Sequence, residues 1–259
     1  MKIATFNING IKARAEVLAR WLDESAPDLA VLQEIKSTDE TFPRDLIESR
    51  GYHLETHGQK GFNGVAILSR APLRDVVRAL PGDSADEQAR WIEASVEGPV
   101  NLRICGLYLP NGNPAPGPKF DYKLAWMDRM LTRTRSLLAN EQPLVLAGDY
   151  NVIPQPIDAA RPDAWREDAL FRPDSRAAFR RLETLGLYDA LRLRRPEPGH
   201  YSFWDYQAGA RARNDGIRID HLLLSPQAAD RLEDAWIETA PRDWEKPSDH
   251  TPVWIRLRD

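Results

Sequence analysis

The sequence predicts an α/β protein in which two mixed β-sheets pack face to face, with helices on the outside. Three observations carry this. Short apolar runs bounded by turn signals recur in both halves of the chain, as buried strands do. Segments with apolar residues at helical spacing stand between some of them. Four of the runs end on, or adjoin, a carboxylate, an amide or a histidine: Ile3–Phe6 before Asn7 and Asn9, Leu29–Leu32 before Gln33-Glu34, Leu144–Ala147 before Gly148-Asp149-Tyr150-Asn151, and Ser248-Asp249-His250 before Pro252–Ile255.

In chain order, Ile3–Phe6 is a strand and Arg14–Glu24 a helix with Ala15, Leu18, Ala19 and Leu22 on one face. Asp28–Leu32 and Val65–Leu68 are buried strands, and Leu73–Arg78 continues their sheet. Trp91–Val96 alternates apolar and polar residues, as a half-buried strand does, and Leu102–Leu109 follows as another. Asn111–Pro118, rich in glycine and proline, is a loop. Tyr122–Ala139 is a helix with Leu124, Met127, Met130, Leu131, Leu137 and Leu138 broadly on one side. Leu144–Ala147 is the next strand, and Pro154–Asp168 is irregular. Ser175–Leu185 is a helix ending at Gly186, and Ile217–Leu224 and Val253–Leu257 are late strands.

A chain of 259 residues is within reach of one domain spanning 1–259. With 42% hydrophobic and 29% charged residues, the composition is that of an ordinary soluble globular protein. The net charge of −4 does not advertise a nucleic-acid binder, but binding faces are local and a metal site concentrates acids. The lone cysteine, Cys105, excludes an internal disulfide, fits a reducing compartment and reads as core. Met1–Phe6 reaches polar Asn7 too early for a signal peptide. No apolar run approaches the roughly 20 residues of a membrane span. The expectation is a cytoplasmic protein with no membrane partner.

A carboxylate is costly to bury alone. Several at strand ends point to one cleft floor that holds a cation, and oxygen donors suit magnesium or manganese better than zinc. Such a site serves metal-assisted chemistry on a phosphate. Asn7 also fits a turn amide, given Asn9-Gly10. Glu34 has only Lys36 nearby to neutralise it. On an extended chain Asp149 and Asn151 face the same way. Asp249-His250 pairs an acid with a group that titrates near neutrality. Asp220 interrupts an apolar strand and needs a partner, for which a histidine would serve. Tyr108 ends a strand, either as core or as a donor to a phosphate. There is no Walker loop, GxGxxG or GxSxG, and His200 and His221 lack partners at zinc spacing.

Six stretches resemble the exonuclease III family of abasic-site DNA repair nucleases, within the endonuclease/exonuclease/phosphatase superfamily. They are Thr5–Gly10, Leu32–Lys36, His57–Ile67, Gly148–Asn151, Asp215–Asp220 and Glu245–His250. The resemblance runs from Met1 to about Arg258 in the family's motif order. It implies a four-layered α/β sandwich and magnesium- or manganese-dependent cleavage of DNA 5′ to abasic sites, with 3′–5′ exonuclease or 3′-phosphatase activity.

Carried over by motif, Glu34 is the main metal carboxylate with Asn7 nearby, and Asp249 is a metal-proximal acid. Asp149 orients or deprotonates water, Asn151 and Tyr108 contact phosphate, and His250, held by Asp220, steadies a phosphate oxygen. The metal set is then Asn7, Glu34, Asp149, Asn151, Asp249 and His250. Phe203, Ile217 and Ile219 line a pocket for a base-free sugar. Lys60 and Asn63 join them in binding substrate. Candidate DNA contacts are Lys60, Lys119, Lys123, Arg211, Arg213 and Arg218, mostly to phosphates. The expected partner is double-stranded DNA with abasic sites or blocked 3′ ends, bound by a monomer. The competing reading is a superfamily phosphatase acting on small phosphorylated molecules or lipids.

Overall fold

The computed structural model describes residues 1–98 and 100–259. The chain runs through β1 (Lys2–Asn7), α1 (Ala15–Ser25), β2 (Leu29–Gln33), α2 (Arg44–Glu48), β3 (His53–His57), β4 (Val65–Ser69), β5 (Leu73–Arg78), β6 (Trp91–Val96) and β7 (Leu102–Tyr108). It continues through α3 (Pro118–Leu138), β8 (Leu144–Asp149), α4 (Pro173–Thr184), β9 (Tyr188–Asp189), α5 (Ala190–Arg194), β10 (Asp220–Leu224), α6 (Pro226–Ala229), β11 (Leu232–Ile237) and β12 (Val253–Leu257). The strands form two six-stranded sheets, ordered β11-β12-β1-β2-β4-β3 and β5-β6-β7-β8-β10-β9.

Each sheet has one parallel pair, β1–β2 and β7–β8, and antiparallel pairs elsewhere. A parallel pair needs a crossover, supplied by α1 in one sheet and α3 in the other. The apolar residues divide by strand period. Ile3, Leu29, Val31, Ile104, Val145, Ala147, Leu222 and Leu224 fill the space between the sheets. Ala4, Phe6, Ala30 and Leu32 face α1 on one outside, and Cys105, Leu107, Leu146 and Leu223 face α3 and α4 on the other.

Extending that alternation places Asn7, Gln33, Tyr108, Asp149 and Asp220 on the inter-sheet side. Asn7, Gln33, Tyr108 and Asp149 stand at the C-terminal ends of the two parallel pairs, where open α/β sheets bind ligands. Gly148 lets β8 close on β7, because a Cβ there would sit 2.0 Å from the Leu107 carbonyl oxygen.

Several elements depart from expectation. Leu73–Arg78 does not continue the first sheet; it crosses to the edge of the second, pairing with β6. Trp91–Val96 is not half-exposed, because α3 covers its outer face. Its Glu93 is fully buried and takes Arg133 and Arg103 as partners. Regular pairing in the Ile217–Leu224 run begins only at Asp220, where β10 meets Asp149 of β8. Ile217 makes isolated bridges to Ala159 and Phe203 instead. Both long later helices start earlier, on Pro118 and Pro173, as the fixed φ of proline at a first helical position permits. β3 carries too few apolar residues to announce itself, the acidic Glu233-Asp234 pair interrupts the apolar pattern of β11, and two short 3-10 turns order part of 154–168.

Candidate metal and phosphate site

The two strand-end carboxylates, Glu34 from the first sheet and Asp149 from the second, meet at the top of the inter-sheet space. Asn7 joins them: its Nδ2 donates to Glu34 Oε1 at 2.9 Å and to Asp149 Oδ2 at 3.0 Å. Asn7 Oδ1 accepts from the Asn9 N–H at 3.0 Å, so the residue is also the turn amide its sequence suggests. In this orientation Asn7 presents no oxygen to a metal and separates two like charges.

Glu34 has φ 51°, a left-handed conformation costly for its residue type. Neighbours over-determine it: the Ile35 and Lys36 N–H groups donate to the Gly64 and Asn63 carbonyls at 3.2 and 3.0 Å. Asn63 is therefore turned inward, its amide also held on Gln59 at 2.8 Å, and it braces the Glu34 turn rather than offering a surface contact. Lys36 Nζ sits 2.9 Å from Glu34 Oε2 and 2.6 Å from Asn9 Oδ1. Asn9 in turn donates to Asp249 Oδ1 at 3.0 Å. Burial works against the Glu34 carboxylate, but hydrogen bonds from Asn7 and Lys36 and the Lys36 and His250 charges outweigh it. They hold Glu34 below the usual carboxylate range.

Asp149 and Asn151 do not lie on one extended strand. The chain turns after Asp149: the Asn151 N–H donates to Asp149 Oδ1 at 2.9 Å, and Asn151 has φ 47°. The Asn151 amide donates to the Leu109 carbonyl at 2.9 Å and accepts from Asn111 at 3.3 Å, which leaves one N–H for a substrate.

His250 Nδ1 lies 2.8 Å from Asp220 Oδ2, and its Nε2 lies 3.7 Å from Asp149 Oδ2. Ser202 donates to the same Asp220 oxygen at 2.6 Å, while Asp220 Oδ1 is buried without a partner among the described residues. Burial disfavours the imidazolium, but the charges of Asp220 and Asp149 dominate and lift His250 to about 10. Burial, with the charges of Asp220 and Glu34, pushes Asp149 up to about 7 against the pull of His250. An imidazolium is a donor without a lone pair, so this arrangement aims His250 at an anion rather than at a metal.

Tyr108 pairs in register with Asp149, and burial beside Glu34 and Asp149 raises its phenol well above the ordinary value. Arg90, absent from the expected set, lies over its ring at 4.9 Å.

Glu34, Asp149 and His250 offer ligand atoms that all lie within 4.8 Å of one another. Two crowded carboxylates, one of them pushed toward neutrality by burial and by like charges, fit a hard divalent cation. Asp249 stands outside that trio, held by Asn9 and by Ser248 at 3.3 Å.

Phe203 packs edge-on against His250, ring centroids 5.0 Å apart, and with Ile217 lines a cleft of about 300 Å³ whose rim includes Trp165, Arg161 and Arg213. Ile219 is buried in the cluster behind it and does not line the cleft. Lys60 and Lys119 are exposed, as is Arg213, which lies 3.6 Å from Asp215. Arg211 pairs with Asp243 at 2.7 Å.

Two expected DNA contacts are wrong. Lys123 and Arg218 are fully buried: Lys123 donates to two carbonyls, and Arg218 pairs with Asp158 and Asp189 at 2.7 and 2.8 Å. Burial draws Lys123 down to about 7. Phe62, missed as a contact candidate, is 72% exposed beside Lys60; its only signal in the sequence is an aromatic in a glycine-rich polar loop.

The fold and the site define a member of a known hydrolase class: the family model described as "Endonuclease/Exonuclease/phosphatase family" matches residues 4–250, and the chain belongs to that family. Within it, the chain is 36% identical over 267 residues to exodeoxyribonuclease III of Haemophilus influenzae, covering 100% of both. It is also similar to the structure of an AP endonuclease from Archaeoglobus fulgidus, with 36% identity, a TM-score of 0.95 and 100% of both chains covered. A third relative is a 3′ phosphatase from Neisseria bound to product DNA hairpin, with 37% identity, a TM-score of 0.95 and the same coverage.

Proposed function

We propose that the protein is a metal-dependent DNA repair nuclease, using magnesium or manganese, that incises duplex DNA 5′ to abasic sites and trims blocked 3′ ends. The observation that carries this is the meeting of Glu34, Asp149 and His250 within 4.8 Å beside an aromatic-lined cleft. The full-length likeness to an exodeoxyribonuclease III and an AP endonuclease supports it.

Glu34 and Asp149 would hold the cation, with Asp249 nearby. When bound, such an ion polarises a phosphoryl oxygen and neutralises developing charge. Asp149 orients a water and accepts its proton as the oxygen attacks phosphorus, which requires an ionised carboxylate beside the cation. The bond from phosphorus to the 3′ oxygen breaks, and that oxygen takes up a proton from water. The His250 imidazolium and the free Asn151 N–H donate to phosphate oxygens. Tyr108 keeps its proton and donates likewise. Phe203 and Ile217 cover a sugar that lacks its base, whose extrusion is cheaper than flipping a paired nucleotide. We place the enzyme in the cytoplasm as a monomer of one domain. Among the described residues no helix is long and apolar enough to cross a membrane.

The test is incubation with an abasic duplex, a 3′-phosphate duplex and an intact duplex, each with and without magnesium. Magnesium-dependent processing of the two damaged duplexes is expected. Asp149→Asn should bind the abasic duplex at least as tightly and lose cleavage, because the amide keeps the shape and removes the proton acceptor. Turnover of small phosphate esters with no action on any duplex would overturn the reading.

A further inference from the structure

Resting on the function proposed above, we infer that Lys123 and His221, neither of which touches the cation or phosphate site, are positioning residues. They hold the Asp149–Val152 turn in its reactive conformation from beneath.

The turn needs holding. Asn151 is left-handed, a conformation that asparagine tolerates better than most residues but adopts at a cost. Its side chain contacts substrate only if the backbone stays there. Two consecutive carbonyls of this turn accept from buried basic side chains of two different elements. Lys123 of α3 donates to the Asn151 carbonyl at 2.6 Å, and His221 Nε2 of β10 donates to the Val152 carbonyl at 3.0 Å.

Both donors are themselves fixed. Lys123 is fully buried, and its partners among the described residues are carbonyls. Its second bond, 3.1 Å to the Asn111 carbonyl, fixes the residue whose amide holds the Asn151 oxygen. Gly112 makes room for its stem: at φ 90°, a Cβ there would meet Lys123 Cδ at 2.7 Å. A lysine kept out of water with only carbonyl partners is costly, and core packing alone does not call for it.

His221 receives Arg218 Nη1 on Nδ1 at 2.9 Å, and a guanidinium can only donate. That bond sets the tautomer: Nδ1 accepts and Nε2 carries the hydrogen aimed at Val152. Arg218 is anchored by Asp158 and Asp189. Tyr150 and Phe179 meet the His221 ring edge-on or tilted at 5.3 and 5.0 Å. The left-handed Asn151 is thus clamped between α3 and the Arg218–His221 couple.

The experiment is a double-mutant cycle of Lys123→Met and His221→Phe, which keep bulk and remove the donors. kcat and KM on the abasic duplex are measured beside the thermal melt. Each single variant should lower kcat by about ten- to a hundredfold, the usual cost of losing a supporting hydrogen bond behind a reactive group, with KM within about twofold. The double variant should fall little below the worse single, because both act through one turn. Unchanged kcat in either folded variant, or losses that multiply independently, would overturn the inference. If Lys123→Met does not fold, Arg218→Lys, whose shorter side chain withdraws the donor from His221 Nδ1 while keeping the charge, carries the same prediction and the same refutation. An inactive parent enzyme would instead count against the proposed function.

Discussion

Nδ1 of His250 lies 2.8 Å from Oδ2 of Asp220, and the bond joins the two sheets: Asp220 opens β10 of one, and His250 precedes β12 of the other. Burial alone would neutralise the imidazole; the Asp220 charge does most to keep it cationic.

Asp220→Asn should therefore cost turnover through the charge of His250. The sign follows from the raised pKa of about 10: the imidazolium persists below that value and is lost as pH rises through it. Removing the Asp220 charge lowers the pKa, so the alkaline limb of kcat should move to lower pH. At neutral pH the loss should be about ten- to a hundredfold. A pH–rate profile that keeps its alkaline limb would show that Asp220 does not set this charge.

Glu34→Gln should raise the magnesium concentration needed for half-maximal activity by about ten- to a hundredfold, with partial recovery in excess magnesium or manganese. Relief of a buried like charge near Asp149 offsets the lost Lys36 pair, so the metal-free melting temperature should stay within about 4 °C of the parent. Parent-level activity at low metal would exclude Glu34 as a ligand.

Phe203→Ala should separate recognition from chemistry. Removing the ring from the cleft forfeits about 1.5–3 kcal/mol of apolar burial against an extruded sugar. That is roughly one to two orders of magnitude in abasic-site efficiency. Release of a terminal 3′ phosphate should fall less. Equal losses on both substrates would mean that the ring acts by packing against His250.

Asp158→Asn should destabilise the fold in a pH-dependent way. Burial raises the carboxyl, but Arg218 and Arg192 overcome this and hold it below its ordinary value. A depressed folded pKa contributes stability present above the unfolded value of about 3.9 and lost as pH falls through the folded one. Breaking the buried pair should cost about 3–5 kcal/mol at neutral pH. The gap in melting temperature between parent and variant should narrow below about pH 4. A gap constant down to pH 3 would mean that the pair contributes no charge-dependent stability.

The sequence by itself determined most of the strands, though not β3, β9 or β11, because their apolar runs were short, frequent and bounded, and it placed Asn7, Glu34, Asp149 and Asp220 at or beside strand ends. It located His250 after a proline-fixed turn. It did not determine which sheet each strand joins: Leu73–Arg78 has the same local pattern wherever it pairs, and only long-range packing sends it across to β6. Nor did it separate surface charges from buried ones. Lys123 and Arg218 read as solvated cations, since these residue types are usually exposed. Their burial depends on carbonyls and carboxylates contributed by distant segments, Asn151 and Asn111 for one, Asp158 and Asp189 for the other. Asn151 likewise looked like an extended partner of Asp149, because period-2 alternation is a local rule. The left-handed turn it adopts joins a local bond to Asp149 with hydrogen bonds to Leu109 and Lys123 that exist only once the sheet and α3 have come together.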